Sequence, residues 1–185
     1  ASTDGNSTAD ITGNTLTVTP AQDYNGDILV IVTASDGQAS GSDSFTLTVT
    51  PVNDAPVVES YSDTSINEDQ SLELTLIASD IDSNDLTFSA SVDGNANINI
   101  DDTTLSVIPI EDYNGDILIT VTASDGDLTG QASFTLTVNP VNDAPVISLL
   151  DNQAIDEDSS LTVELSASDV DGDNLTFSAS TDGNS

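Results

Sequence analysis

Apolar and polar residues alternate along this chain in short runs, and clusters of Asp, Asn, Gly and Pro separate the runs. Ser71-Leu72-Glu73-Leu74-Thr75-Leu76 puts every second residue on an apolar face, so its leucines face a core while Glu73 and Thr75 face water. The same period-two pattern predicts strands at Val57 to Ile66, Leu86 to Ser89, Asn97 to Ile100, Thr104 to Val107, Ile117 to Ala123 and Ser133 to Val138. Thr, Val and Ile dominate these seven segments, as suits a half-buried pleated surface. No stretch of useful length carries helical periodicity. The prediction is an all-β chain built as β-sandwiches.

The pattern also repeats as a whole. Asp23-Tyr24-Asn25-Gly26-Asp27 returns 89 residues later as Asp112-Tyr113-Asn114-Gly115-Asp116, and Pro51-Val52-Asn53-Asp54-Ala55-Pro56-Val57 returns as Pro140 to Val146 at the same spacing. A fixed period without insertions means one folded unit copied in tandem, so function belongs to the array before any single pocket. Two prolines bracket Pro51 to Pro56 with no glycine between them, which holds the linker extended and makes it the boundary between copies. Residues 1–50 then form the latter part of one repeat, 51–139 a complete repeat, and 140–185 the first part of another. Ala1 to Ser7 is identical to Ala179 to Ser185, so the chain reads as a window on a longer polymer. Tyr24 and Tyr113 precede the sixth strand of their copies, where sandwiches of this class place a structural corner tyrosine.

Composition narrows the chemistry. The chain has 33 acidic residues and no Lys, Arg or His, giving a net charge of −33. Nucleic acid and anionic membrane surfaces are excluded as partners, since both need basic residues. The absence of His and Cys removes the usual nucleophilic triads, His/Cys zinc sites and disulfides, and no transmembrane segment is present. The expectation is a non-enzymatic protein. So many like charges must be neutralised from solution, or self-repulsion opposes the compact state.

The carboxylates cluster at recurring places. The linkers carry Asn53-Asp54 and Asn142-Asp143; Glu68-Asp69 and Glu157-Asp158 follow a short way into the next copy. Asp80-Ile81-Asp82 and Asp169-Val170-Asp171 lie between predicted strands, Asp23 to Asp27 and Asp112 to Asp116 precede the sixth, and Asp125 follows it. End-to-end sandwiches would bring such loops together at a junction. A hard cation is needed there, and Ca²⁺ fits because it takes six to eight oxygen ligands in flexible geometry, whereas Mg²⁺ demands a tighter octahedron.

Taken in order, Val-Asn-Asp-Ala-Pro, Asn-Glu-Asp, Asp-x-Asp and Ala-Ser-Asp-Gly resemble the cadherin family, specifically the cadherin-like tandem repeats of giant bacterial extracellular adhesins. The resemblance implies tandem seven-stranded Greek-key β-sandwiches, cadherin- or immunoglobulin-like, joined end to end, with Ca²⁺ stiffening each junction. It implies ligands Asn53, Asp54, Glu68, Asp80, Asp82 and Asp125 at the first junction, and Asn142, Asp143, Glu157, Asp169 and Asp171 at the second. Asp69 and Asp158 accompany their glutamates. The Asp-Tyr-Asn-Gly-Asp loop stands where animal cadherins have Asp-Arg-Glu, which leaves the roles of Asp23, Asp27, Asp112 and Asp116 open.

The implied function is a calcium-rigidified spacer of a large adhesin or surface fibre, extracellular and on the cell surface. Its partners are neighbouring repeats of the same chain or identical chains, with any glycan or protein ligand held by parts outside this window. Two other readings use the same residues: the shaft of a self-assembling filament with strand exchange between protomers, and a calcium-dependent carbohydrate-binding module. The last lacks the aromatic platform usual in sugar sites, there being no Trp. Asp43, Asp63 and Asp127 read as solvated surface groups, and Asp93-Gly94-Asn95 as an ordinary turn. Asp169-x-Asp171-x-Asp173 has no Glu at the twelfth position, so it is not an EF-hand loop.

Overall fold

A computed structural model describes residues 1–3 and 5–181. Asp4 and residues 182–185, the tail of the third predicted segment, lie outside the described residues. The chain forms two compact units. The first comprises Ala1–Val58, Ala78–Thr87 and Thr122–Gln131; the second comprises Glu59–Ile77, Phe88–Val121 and Ala132–Ser185. All regular elements among the described residues are strands.

In the first unit, β1 (Ser7–Thr12) pairs antiparallel with β2 (Thr15–Pro20), and β3 (Gly26–Ser35) with β4 (Ser40–Val49). Ile28 and Val30 alternate along β3 and are fully buried, as the period-two reading requires. The short β5 (Val57–Val58) lies immediately after the linker. Pro56 is buried, and a Cβ placed on Gly130 would stand 1.8 Å from its carbonyl oxygen. Glycine is required there by the close approach of two backbones.

In the second unit, β6 (Thr64–Asn67) and β7 (Leu72–Thr75) belong to different sheets. β8 (Ala78–Ser79) belongs to the first unit; β9 (Thr87–Val92), β10 (Ala96–Asp101), β11 (Thr104–Pro109), β12 (Gly115–Ser124) and β13 (Thr129–Asn139) follow in chain order. One sheet runs β10-β11-β7 and the other β6-β13-β12-β9. Leu105 and Val107 from the first sheet, and Ile117, Ile119, Val121, Leu136 and Val138 from the second, are at most 1% exposed. Burying each such aliphatic side chain stabilises the fold by about 1.5–3 kcal/mol before entropy is counted.

The predicted first strand, Val57 to Ile66, is divided. Its start pairs antiparallel with β8, and its end forms β6, which pairs parallel with β13. Between them Tyr61 packs its ring 5.6 Å from that of Phe134, and its hydroxyl accepts the Ile77 amide at 3.0 Å. Asp63 accepts the amide of Thr135 at 2.7 Å, just before the β6 ladder begins. Asp63, expected to be merely solvated, therefore has a structural task. After the second linker, β14 (Val146–Ile147) and β15 (Ala167–Ser168) are the strands described. Leu149, Leu161 and Phe177 remain exposed there.

The repeat persists in the pairing registers. Ser7 faces Pro20 as Ala96 faces Pro109, and Val57 faces Ser79 as Val146 faces Ser168. Gly41 occupies the place of Gly130 one repeat earlier, yet an added Cβ at Gly41 meets nothing within 4 Å. Gly130→Ala is expected to destabilise by about 1–3 kcal/mol through overpacking against Pro56, and Gly41→Ala to leave the melting temperature within error. Thermal melts of the two variants followed by circular dichroism check this.

Candidate metal centre

Two local devices position the acidic side chains. The first is an aspartate that caps its own turn. Asp80 Oδ1 accepts the amides of Asp82 and Ser83 at 2.7 and 2.8 Å, and Asp169 Oδ1 those of Asp171 and Asp173 at 3.1 and 3.2 Å. Asp125 Oδ1 accepts the amides of Asp127 and Leu128, and Asp36 those of Gln38 and Ala39. The second is the Asp-Tyr-Asn-Gly-Asp corner. Tyr24 and Tyr113 donate their hydroxyls to the carbonyls of Asp27 and Asp116, each at 3.0 Å. The first aspartate of each corner, Asp23 or Asp112, is left-handed at φ 58° or 57°.

The second aspartates of these corners take a structural role. Asp27 accepts the Thr48 hydroxyl at 2.6 Å and Asp116 that of Thr137 at 2.7 Å, tying neighbouring strands together. They stand apart from the carboxylate groups described below.

In the first unit the linker is held by two bonds. Asn53 Nδ2 donates to Asp125 Oδ2 at 2.7 Å, and the Asp54 amide donates to Asp82 Oδ2 at 2.8 Å. Asp23, Asn25, Asp54 and Asp82 line a hollow of about 310 Å³, and Asp23 and Asp54 line another with Asp80. Asp80 Oδ2 is buried and has no hydrogen-bond partner. An ionised carboxylate oxygen left in that state carries a desolvation cost that a bound cation would remove.

The second unit repeats the arrangement and adds to it. The Asp143 amide donates to Asp171 Oδ2 at 2.7 Å, as Asp54 does to Asp82. Oxygens of Glu68, Asp143 and Asp171 lie within 4.8 Å of one another, and so do those of Asp69, Asp112 and Asp143. Asp143 belongs to both trios. Glu68 is only 4% exposed and accepts the amide of Val141 in the linker. Asn142 donates to the carbonyl of Asp143 at 2.8 Å. Glu157 and Asp158 are exposed and join neither trio among the described residues.

This placement corrects one grouping read from the sequence. Glu68 and Asp69 were expected beside Asn53, Asp54, Asp80, Asp82 and Asp125, but they lie with Asp143. The reason is the parallel pairing of β6 with β13, which brings the ends of both strands to the outgoing linker. The Glu68 amide donates to the Asn139 carbonyl at 2.9 Å and fixes the contact. A period-two pattern shows which face a residue takes but not the direction of its partner strand, so the sequence held no sign of this. Asp112, whose role was open, falls in the outer trio.

The electrostatics follow from the crowding. Lost hydration, then the charges of Glu111, Asp69, Glu68 and Asp171, push Asp112 above the ordinary carboxylate range. Lost hydration and the charges of Asp112, Asp171, Asp69 and Glu68 do the same to Asp143. The turn-capping aspartates shift the other way. The Leu128 amide, the Asn53 side chain and the Asp127 amide lower Asp125, and the Ala39 and Gln38 amides lower Asp36. Hard oxygen donors, among them the orphaned Asp80 Oδ2 at the first linker and the buried Glu68 at the second, with no side-chain cation available, fit Ca²⁺ at each place.

Residues 53–139 match the model of a family described as bacterial Ig domain. That segment is similar to a bacterial Ig domain. Solved structures to which the chain is similar in part include Drosophila N-cadherin EC1-3, at 14% identity over 72% of this chain and 51% of that one, with a TM-score of 0.41. Titin domain M7 shares 18% identity over 48% of this chain and 98% of that one, TM-score 0.36. An endo-fucoidan hydrolase of glycoside hydrolase family 107 shares 20% identity over 76% of this chain, TM-score 0.37. The chain spans 23% of that hydrolase's length. No curated protein matches the chain significantly in sequence. Among the described residues the fold is all-β.

Proton linkage gives the centre a distinctive acid response. Asp36 and Asp125 bind protons less readily when folded, so their stabilisation holds above the ordinary carboxylate range and is lost as pH falls through their lowered values. Asp112 and Asp143 bind protons more readily when folded, so without divalent cations stability rises as pH falls through their raised values. Cation-free protein is therefore expected to be most stable in mild acid, between the two ranges. Melts across pH in EDTA check this, and the double variant Asp112→Asn, Asp143→Asn is expected to flatten the limb toward neutral pH.

Proposed function

We propose that this chain is a calcium-rigidified structural repeat of a large extracellular protein, a spacer in an adhesin or surface fibre. The observation that carries the reading is the pair of carboxylate trios joined at Asp143, with no side-chain cation in the chain to neutralise them. Glu68, Asp143 and Asp171 would hold one ion, with Asp69 and Asp112 extending the site. Asp23, Asp54, Asp80 and Asp82 are the corresponding donors of the first linker. Bound Ca²⁺ supplies positive charge and six to eight coordination positions. The protein's part is to bring the donors together. Glu68 anchors the linker through the Val141 amide, and Asp143 turns toward Asp171 through its own amide.

In this reading the 89-residue repeat is the mechanical unit, 51–139 being one whole copy between two partial ones. Roughly 40 Å of length per copy follows from strands of about seven residues at ~3.4 Å with their loops. A calcium-rich medium outside the cell suits such a centre. Among the described residues no helix is long and apolar enough to cross a membrane. The partners are neighbouring repeats, in the same chain or in identical chains. The exposed Leu149, Leu161 and Phe177 are the surface that strands of a further copy would cover. Sizing across a Ca²⁺ and concentration series separates the two sources, because only exchange between chains yields larger species.

A ligand that binds only the folded state stabilises by about 2.7 kcal/mol per site at 100 times its Kd. For a domain of marginal stability this is decisive. The melting temperature is expected to rise by several degrees with Ca²⁺ and return with EDTA, and Glu68→Gln to lose most of that rise. Asp43→Asn, at an exposed residue whose carboxylate accepts the Ser44 amide, is expected to retain it. A melting temperature indifferent to Ca²⁺ would sink the proposal.

A further inference from the structure

The corner loops contain a chemical feature that the calcium reading does not use. Asn25 and Asn114 are the two asparagines in the chain that are followed by glycine. Both are exposed, and among the described residues the side-chain amide of neither makes a hydrogen bond. Neither glycine is free to change. Gly26 and Gly115 sit at φ 125° and 135°, and an added Cβ would stand 3.2 and 2.9 Å from the hydroxyl of Tyr24 and Tyr113. The same corner that needs Tyr and Gly for its geometry thus places an exposed asparagine amide next to a glycine, whose backbone nitrogen carries no neighbouring side chain of its own.

We propose that Asn25 and Asn114 are sites of spontaneous deamidation, and that the product tunes the neighbouring acidic centre. The backbone nitrogen of Gly26 or Gly115 attacks the side-chain carbonyl carbon of the preceding asparagine. A C–N bond forms, ammonia leaves, and a five-membered succinimide results. Water then opens the ring at either carbonyl, giving aspartate or its β-linked isomer, with no change of oxidation state. Each event replaces a neutral amide by a carboxylate. Asn25 lines the hollow shared by Asp23, Asp54 and Asp82, so its product adds a fourth anionic donor there. Asn114 is two residues from Asp112 of the outer trio. The modification itself is independent of any metal. Its consequence rests on the calcium reading, where an added donor strengthens ion binding and, without the ion, adds repulsion.

The test holds the whole chain in mildly alkaline buffer at physiological temperature and follows it by mass spectrometry. Peptic digestion is required because the chain has no Lys or Arg for trypsin. The mass gain of amide-to-acid conversion is expected in the peptides holding Asn25 and Asn114, with Asn25→Gln and Asn114→Gln each removing one step. No gain there, or an equal gain at the exposed Asn84 and Asn95, overturns the proposal. The coupling is read separately with Asn25→Asp and Asn114→Asp. Each is expected to melt lower than the parent in EDTA and to gain more from added Ca²⁺. An equal response of variants and parent overturns the coupling. A parent that ignores Ca²⁺ overturns the calcium reading while the mass result stands.

Discussion

Every carboxylate in this chain must be satisfied without a lysine, arginine or histidine, and that constraint organises the molecule. Four aspartates cap their own turns through backbone amides, namely Asp36, Asp80, Asp125 and Asp169. Asp27 and Asp116 take threonine hydroxyls from the adjacent strand, and Asp63 takes the Thr135 amide. Each of these satisfies one carboxylate at little cost, because a charged acceptor makes a stronger hydrogen bond than a neutral one. What such bonds cannot satisfy gathers at the linkers. Glu68, Asp69, Asp112, Asp143 and Asp171 meet there, and lost hydration, then repulsion from neighbouring carboxylates, raises Asp112 and Asp143.

That gathering depends on one strand pairing. β6 runs parallel to β13, so a glutamate early in one repeat reaches the linker that leaves the same repeat. Its amide meets Asn139 and its carboxylate meets Val141, making the strand end and the linker one structure. The division of the expected first strand is what frees β6 for this pairing, and Tyr61 against Phe134 fills the crossing between sheets. Packing in the second unit therefore sets the geometry of its acidic centre. A loop aspartate in an isolated peptide would have no reason to approach its partners against their charge.

The corner loop shows one sequence serving several ends. Tyr113 fixes the turn, Gly115 makes room for its hydroxyl, Asp116 holds Thr137, and Asp112 faces the outer trio. Such economy leaves Asn114 exposed next to glycine, which is a chemical consequence of the geometry and not a separate feature. The left-handed backbone at Asp23, Asp69, Asp112 and Asp158 recurs with the repeat, so the same strained positions carry acidic side chains in successive copies. Strain of this kind costs of order 1 kcal/mol per residue and persists where the surroundings enforce it.

The sequence alone determined the all-β class, because period-two alternation admits little else. It also determined the 89-residue repeat and the acidic character of the chain, since both are local patterns of residue type. Asp54 with Asp82, and Asp143 with Asp171, were legible as partners because linker and Asp-x-Asp loop recur in fixed order. Only the tertiary structure decided which linker Glu68 and Asp69 serve, that Asp112 joins them, and that Asp27 and Asp116 turn to threonines instead. It also decided that Gly130 must be glycine, because the Pro56 backbone passes against it. The physical reason is common to these cases. Strand direction, sheet membership and the close approach of two backbones are set by contacts between residues far apart in the chain, and no local pattern records them.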